Sequence, residues 1–177
     1  LFNTLNNIYS LAIKGSTKTG DSILKLSSLL DYLVYQTNRE RTLLKSEIAL
    51  IENYLELEKL RYGDALQLHL KIQNIEESIQ APPLVLLPFV ENCFKHGGKN
   101  QAGFFEIQID LKIESGILYF TVVNSLSKEK AKREKGREGI GLSNIKNRLE
   151  HHYPNRFSLA TQQEQQQFFV TLTLKLE

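Results

Sequence analysis

The spacing of apolar side chains changes along the chain, and its first part is helical. Apolar residues recur every three to four positions from the first residue onward, which predicts a helix that ends near Ile13 and continues upstream of Leu1. A second helical pattern follows a loop of Gly, Ser and Thr residues, with Asp21 as its predicted N-cap. The apolar positions of the two helices are Leu1, Leu5, Ile8, Ala12, Ile23, Leu26, Leu30 and Leu33.

Two helices joined by a short loop predict an antiparallel hairpin, and a hairpin of this size buries too little surface to be stable alone. Its apolar seam therefore needs a partner. One alternative is that the hairpin packs on the rest of the chain. The other, which we favour, is that it pairs with a second copy of the chain into a four-helix bundle.

The period then changes from helical to alternating. A third helix is predicted from Ser46, as its N-cap, to Gly63, which stops it. From Leu66 to Gln73 apolar and polar residues alternate, which predicts a half-buried strand. His69 lies on the polar side of this alternation, so we interpret it as a solvated side chain.

Three prolines mark the next predicted helix. Pro82 and Pro83 suit its opening, where a missing backbone N–H costs nothing, and it ends at the pair Gly97–Gly98. Pro88 predicts a kink within it, because proline removes a bond to the carbonyl four residues back.

Two more strands, a helix and a final strand complete the pattern. Alternation predicts strands over 105–113 and 117–124, and a polar stretch over 125–138 follows them. A glycine-opened helix, "GIGLSNIKNRLEHH", precedes a last strand over 170–176. The chain is thus predicted to be a helical hairpin, a long helix and a mixed α/β layer.

Composition narrows the class of protein. Of 177 residues, 41% are hydrophobic and 24% are charged, as in ordinary soluble globular domains. A net charge of +2 is too small to indicate direct nucleic-acid binding. Cys93 has no second cysteine with which to form an internal disulfide, which favours a reducing compartment. No apolar run approaches the roughly 20 residues of a membrane helix.

The stretch "ENCFKHGG" concentrates polar chemistry beside an apolar run. On a helix, Asn92 and His96 are one turn apart and Lys95 shares their side. An amide oxygen suits Mg²⁺, and the two basic side chains could neutralise phosphate oxygens beside it. The alternative is an ordinary helix end, because Lys and His favour the negative end of the helix dipole and Gly97 stops the helix. Taken alone, the stretch supports both alternatives.

The stretch "GREGIGLSNIKNRL" offers a second candidate site. Gly139 and Gly141 let the backbone approach a ligand, and the helix start presents unpaired N–H groups to an anion. A single G-x-G is shared with many helix starts. The preceding run, "SLSKEKAKREKGRE", is either a solvated loop or a mobile cover over a phosphate site.

Together these stretches resemble a known family. "PPLVLLPFVENCFKHGG", "GIGLSNIKNRLEHHYPNR" and the opening "LFNTLNNI" are similar to the LytS-type sensor histidine kinases. Those kinases carry the ATP-binding domain shared with gyrase, a heat-shock chaperone and a mismatch-repair ATPase. The resemblance implies an α+β fold in which a helical hairpin precedes a Bergerat-type α/β sandwich, one mixed sheet with helices on one face.

The resemblance also implies site residues and cofactors. Asn92 would coordinate Mg²⁺, with Glu91, Lys95 and His96 around the phosphates of ATP. The glycine-rich box would comprise Gly139, Gly141 and Leu142, and Asn144 would begin the helix that follows it.

Two positions depart from the pattern of the superfamily. At the end of the strand before the polar stretch, where an Asp usually accepts a hydrogen bond from the adenine amino group, this chain has Asn124. A neutral amide oxygen accepts that bond more weakly than a carboxylate. One helical turn before Asn92, where ATP-hydrolysing relatives place a general-base Glu, this chain has Pro88. The site is therefore predicted to present a γ-phosphate to a histidine and not to activate water.

The function implied is that of a two-component histidine kinase in a phosphorelay. Residues 1–40 would be the truncated dimerisation and phosphoacceptor hairpin, 41–63 a connecting helix, and 64–177 the ATP-binding catalytic domain. The implied partners are a second copy of the chain and the receiver domain of a response regulator. A region upstream would hold this cytoplasmic part at a bacterial inner membrane. Two alternatives are a degenerate dimeric signalling module that does not use ATP and an ATP-hydrolysing conformational switch, which Pro88 disfavours.

The resemblance places the phosphate-accepting histidine two positions before Leu1, so none of the chain's own histidines is expected to be the acceptor; they are His69, His96, His151 and His152. We therefore predict that this chain does not label itself with γ-³²P-ATP, and that adding the upstream residues restores labelling. Acid-labile, alkali-stable label on the 177-residue chain would refute this placement.

Overall fold

A computed structural model of the chain describes residues 2–36, 39–129 and 140–176. It begins with the predicted helical hairpin: α1 spans Phe2–Ile13 and α2 spans Thr19–Asp31, which a wider helical turn over Tyr32–Gln36 extends. Asp21 is not the N-cap of α2 but lies in its first turn. The Thr19 hydroxyl instead donates to the carbonyl of Ser16 at 2.8 Å, which closes the turn before the helix.

The hairpin packs on α3 and also leaves an apolar surface open. Ile8 of α1 and Leu29 of α2 are buried, and both helices contact α3. Ile23 and Leu30, two residues of the predicted α2 seam, are exposed. The apolar residues of the hairpin thus divide between a face that α3 covers and a face that nothing in the described chain covers.

Helix α3 spans Leu44–Tyr62 and is tied to the rest of the chain at its start. It begins two residues before the predicted N-cap Ser46, because the short strand β1 (Thr42–Leu43) leads directly into it. The N–H of Leu44 donates to the carbonyl of Ile79 at 2.8 Å. Gly63 ends the helix as predicted, with a φ of 55° that favours glycine.

Five strands form one mixed sheet in the order β2-β4-β5-β7-β6. Their bounds, and those of the short β3, are β2 Leu66–Gln73, β3 Gln80–Ala81, β4 Phe105–Glu114, β5 Ile117–Ser125, β6 Phe157–Glu164 and β7 Gln167–Lys175. β2 and β4 are parallel and all other neighbours in the sheet are antiparallel. β3 pairs with β1 in a separate two-stranded ribbon. Strand β6 was not predicted from the sequence, because its second half, "TQQE", has no apolar alternation.

The parallel pair β2 and β4 requires a crossover, and the crossover contains α4 (Leu87–His96). Pro82 and Pro83 lie in the turn before this helix and do not open it, since Leu84 between them and the helix has a φ of 57°. Pro88 is in the first turn of α4, where a helix has no carbonyl to receive its N–H. The predicted kink at Pro88 is therefore wrong.

The helices cover one face of the sheet, as predicted. Alternate residues of the central strands point to that face and are buried: Ile107, Ile109, Leu111, Leu118, Phe120, Val122, Val170, Leu172 and Leu174. Phe89 of α4 packs against Phe120, with ring centroids 5.9 Å apart. The last helix, α5 (Ile140–His152), adds the buried residues Ile145 and Leu149. His69 is exposed, as predicted for the polar side of β2.

Within the described ranges, none of the helices combines the length and the apolar character that crossing a bilayer requires.

Candidate functional site

The second half of α4 carries the first candidate site at the border between core and solvent. Cys93 and Phe94 turn into the core, and burial raises the pKa of the Cys93 thiol. Asn92 and His96 are half-buried, whereas Glu91 and Lys95 are exposed. The predicted polar side of the helix is thus the side that the sheet leaves uncovered.

The start of α5 brings the second candidate site against the first. A Cβ added to Gly141 would lie 3.0 Å from Oδ1 and 3.4 Å from Nδ2 of Asn92. Such a contact is tighter than almost all real Cβ contacts, so any larger residue at 141 would displace the amide. The absence of a side chain at Gly141 therefore leaves a narrow space between the first turn of α5 and the amide of Asn92.

At the two glycines that follow α4, neighbouring atoms leave no room for a side chain. A Cβ on Gly97 would lie 2.5 Å from the Phe105 ring, and one on Gly98 would lie 2.9 Å from the backbone N of Ser127. The N–H of Gly97 donates to the carbonyl of Cys93 at 2.7 Å, which completes the last turn. These glycines let the end of α4 reach the end of β5 without a gap.

Ser125 joins the end of α4 to the sheet. Its hydroxyl donates to the carbonyl of Gly98 at 2.7 Å and accepts from the N–H of Glu106 at 2.9 Å. Its carbonyl accepts from the N–H of Gly98 at 2.9 Å. Sequence reasoning missed Ser125, because both hydrogen bonds of its hydroxyl go to backbone atoms of other elements and leave no side-chain pattern.

Asn124, next to Ser125, is a polar side chain on the core-facing side of β5. It is 3% exposed and lies in the alternation that buries Phe120 and Val122. Its Nδ2 donates to the carbonyl of Ser125 at 3.0 Å. Buried amides are uncommon in sheet cores and are satisfied by hydrogen bonds, and Asn124 has such a bond; the ligand contact expected at this position stays a prediction.

Glu91 and Glu58 place two carboxylates between α4 and α3. Although much of the Glu91 side chain is exposed, desolvation by the neighbouring atoms raises the pKa of its carboxyl; the charge of Lys95 opposes this shift and the charge of Glu58 adds to it. Glu58 is buried, and Arg61 lies 3.5 Å from its carboxylate. Burial also raises the pKa of Glu58. The charge of Glu91 therefore interacts with the charge of Glu58 on α3, whereas the amide of Asn92 lies beside the first turn of α5.

The remaining predicted site residues are placed as follows. Leu142 is half-buried against the core, and Asn144 is exposed on α5. Gly139 and most of the basic run lie outside the described residues. The structure thus brings Asn92 to Gly141, and through Gly98 and Ser125 it connects the same helix to the neighbour of Asn124.

A metal at this site would not be held by a cluster of protein side chains within the described residues. No group of three or more His, Cys, Asp or Glu side chains in that part of the chain could hold a metal ion. The oxygen of Asn92 faces the space that a Cβ at Gly141 would fill. The amide of Asn92 is only half-buried, and an amide oxygen at the border of core and solvent fits a hard cation whose other ligands come from a bound phosphate and water.

In sequence, the chain is similar to known histidine kinases. A family model described as histidine kinase matches residues 1–66. Sensor protein LytS of Staphylococcus saprophyticus subsp. saprophyticus is 26% identical over 184 residues, covering 98% of this chain and 31% of that protein. Sensor protein LytS of Streptococcus agalactiae is 28% identical over 160 residues, covering 84% of this chain and 27% of that protein. The chain spans less than a third of the length of these relatives.

Solved structures share the fold. The catalytic domain of histidine kinase ThkA has a TM-score of 0.56 at 18% identity, covering 77% of this chain and 97% of that one. The histidine kinase domain of the Erythrobacter litoralis EL346 blue-light activated histidine kinase has a TM-score of 0.54 at 14% identity, covering 95% of this chain and 83% of that one. A complex of ThkA with the response regulator protein TrrA has a TM-score of 0.53 at 14% identity, covering 88% of this chain and 48% of that one.

Proposed function

We propose that the chain is a LytS-type sensor histidine kinase, which its similarity to the LytS proteins supports, and that it binds Mg-ATP beside Asn92 and Gly141 and presents the γ-phosphate to a histidine. The observation that carries the proposal is the 3.0 Å clearance between the Gly141 position and Oδ1 of Asn92. A steric contact this close between two separate motifs supports a common ligand for them.

Each residue of the site would have a distinct task. Asn92 would hold Mg²⁺ through its amide oxygen, and Lys95 and His96 would lie beside the phosphates. The first turn of α5 would direct its unpaired N–H groups at the same anion. When bound, Mg²⁺ supplies neutralisation of phosphate charge. Catalysis in this site would consist of positioning and charge stabilisation, as in phosphoryl transfer generally.

The acceptor would be a histidine and not water. Pro88 occupies the position where a general base would stand and has no group that accepts a proton. Glu91, the nearest carboxylate in sequence, faces α3 and the Glu58 charge. The geometry therefore supports transfer to a side chain brought in from elsewhere, followed by transfer to the receiver domain of a response regulator. The ThkA–TrrA complex, which shares the fold, supports such a partner.

The hairpin would supply the dimer contact. Exposed apolar residues follow one face of α1 at spacings of four: Leu5, Tyr9 and Ile13. Ile23, Leu30 and Val34 continue this exposed surface along the second arm of the hairpin. A stripe of this kind on two antiparallel helices fits a second copy in a four-helix bundle. We keep residues 1–40, 41–63 and 64–177 as the proposed functional units, with attachment to the inner membrane through a region outside this chain.

Asn124 would contact adenine, and its side chain also makes a hydrogen bond within the protein. Its Nδ2 is committed to the carbonyl of Ser125, which leaves the amide oxygen to accept from the adenine amino group. The alternative function, a dimeric signalling module that does not use ATP, predicts that this amide only completes the end of β5.

The first prediction of this proposal concerns the metal. Asn92→Ala should abolish Mg²⁺-dependent ATP binding in calorimetric titration while circular dichroism stays unchanged, because the proposed amide ligand is removed. Gly141→Ala should weaken binding in the same direction, since its Cβ forces the amide to move. Asn147→Ala, an exposed Asn on α5, is the matched control and should bind as the wild type does. Unchanged affinity in Asn92→Ala would support the ATP-independent module.

The second prediction concerns the dimer. Light scattering should give twice the mass of one chain for the wild type, and Tyr9→Glu should give the mass of one chain, because it puts a charge into the apolar stripe. Tyr9 is 67% exposed, so its replacement should not unfold the hairpin. Ser10→Glu, the neighbouring exposed residue, should leave the dimer intact. A wild-type chain that is monomeric at micromolar concentration would contradict the proposed bundle.

The third prediction concerns adenine. Asn124→Asp supplies a charged acceptor at nearly the same volume, and hydrogen bonds to charged groups are worth roughly 1.5–3 kcal/mol against about 1 for neutral pairs. ATP binding should tighten by up to roughly tenfold, the ratio for about 1.4 kcal/mol. GTP should not gain, because guanine presents a carbonyl where adenine has its amino group.

The same substitution removes the donor to the Ser125 carbonyl, so the melting temperature of Asn124→Asp should fall even as ATP affinity rises. Asn147→Asp adds the same charge at an exposed position and controls for long-range electrostatics. An unchanged preference for ATP over GTP in Asn124→Asp would remove the proposed adenine contact.

A further inference from the structure

A carboxylate is buried in the core beneath the start of α4. Glu47, in the first turn of α3, is 0% exposed. It stands in the apolar stripe of that helix, between Leu44 and Ile51, which are three positions before it and four after it. A charged residue at such a position is rare unless it has partners. The proposed kinase chemistry assigns it no task.

The partners of Glu47 are the first backbone N–H groups of α4. One carboxylate oxygen accepts from the N–H of Leu86 at 2.6 Å and from the N–H of Leu87 at 3.1 Å. These are among the N–H groups that the helix itself cannot satisfy, and a negative charge there also interacts favourably with the helix dipole. The other oxygen of Glu47 has no hydrogen-bond partner among the described residues. Glu47 thus acts as an N-cap supplied by a different helix.

Two further elements meet at the same place. Arg148 of α5 donates to the carbonyl of Pro83, in the turn before α4, and its charge attracts Glu47. Tyr32, at the end of the hairpin, is also buried, and the Glu47 charge adds to the effect of burial in raising the pKa of its hydroxyl. The turn before α4 is therefore held from α3 and from α5, next to the last turn of the hairpin.

Burial raises the pKa of Glu47 itself, while the N–H groups of Leu86, Leu87 and Val85 and the charge of Arg148 lower it. The carboxylate is thus costly to bury, and its hydrogen bonds to α4 offset part of that cost.

The position of α4 matters because its far end carries Asn92. Asn92 lies six residues beyond Leu86, about 9 Å along the axis at about 1.5 Å per residue. A short helix transmits a shift at its start to its end, and the clearance between Asn92 and Gly141 is only 3.0 Å. At the other end, Ser125 and Gly98 hold the helix to β5.

We propose that Glu47 is a positioning residue that holds the start of α4 and so places Asn92 against Gly141, from the helix that directly follows the hairpin. The proposal rests on the proposed Mg-ATP site for its effect on nucleotide, although its effect on α4 is independent of any ligand.

Three substitutions in the 177-residue chain test the proposal. Glu47→Met has similar volume and accepts no N–H bond, Glu47→Asp keeps the charge but withdraws the oxygens by one methylene, and Glu47→Gln keeps an accepting oxygen. Ile51→Ala, one turn along the same buried face, is the control for a general loss of core packing.

The first readout is amide hydrogen exchange without nucleotide. The amides of α4 should exchange at least about tenfold faster in Glu47→Met, the ratio for about 1.4 kcal/mol. They should be intermediate in Glu47→Asp and close to wild type in Glu47→Gln. In Ile51→Ala, exchange should rise across the core without selectivity for α4. Equal exchange of α4 in Met, Asp and Gln variants, or equal selectivity in Ile51→Ala, would overturn the anchoring role.

The second readout is ATP affinity with Mg²⁺ and with EDTA. Glu47→Met should reduce the Mg²⁺-dependent gain in affinity at least about tenfold, whereas Glu47→Gln should retain it and Ile51→Ala should leave the ratio unchanged. If Glu47→Met does not fold, the order Gln above Asp in this gain carries the test, and equal values for these two variants would refute it. A wild-type chain that binds no nucleotide would refute the proposed function, while hydrogen exchange would still decide whether Glu47 anchors α4.

Discussion

The close approach of the Gly141 backbone to the amide of Asn92 is the constraint on which the proposed site depends. It requires that α4 and α5 lie on the same face of the sheet, close enough that a single Cβ would meet the amide at 3.0 Å. The buried alternation of β4, β5 and β7 provides that common surface, with Phe89 of α4 and Leu149 of α5 seated on it. The packing of the core therefore also sets the geometry of the proposed site, because a helix that shifts in the core also moves a ligand of the proposed metal.

Polar contacts hold α4 at both ends, and apolar contacts hold its middle. Glu47 caps its first N–H groups from α3, and Ser125 ties Gly98 to β5. Apolar burial contributes most of the free energy but is non-directional, so it does not specify where along its axis a helix sits. Hydrogen bonds with defined geometry specify that position, which explains why buried polar residues gather around this short helix.

The hairpin combines the two alternatives that its sequence left open. One side packs on α3 through Ile8 and Leu29, and the other keeps Leu5, Tyr9 and Ile13 exposed. Tyr32, just after α2, is buried, and the charge of Glu47 acts on its hydroxyl, so the segment that would form the dimer lies within electrostatic range of the anchor of α4. The proposed dimer surface is on α1 and α2, which pack on α3, and α3 in turn contacts α4, which carries Asn92.

The sequence by itself determined the elements whose signal is local. Alternation predicted β2, β4, β5 and β7, helical spacing predicted α1, α2 and α3, and the motif resemblance identified Asn92 and Gly141. Tertiary structure decided the features that depend on distant partners. Strand β6 pairs with β7 although "TQQE" lacks alternation. Pro88 lies in the first turn of α4 because the positive φ of Leu84 is not helical, so the helix begins only after it. The roles of Glu47 and Ser125 could not be predicted from the sequence, because both side chains bond to backbone groups, which do not depend on residue type. Periodicity shows that a side chain has a buried face, but only the assembled fold determines which atoms lie opposite it.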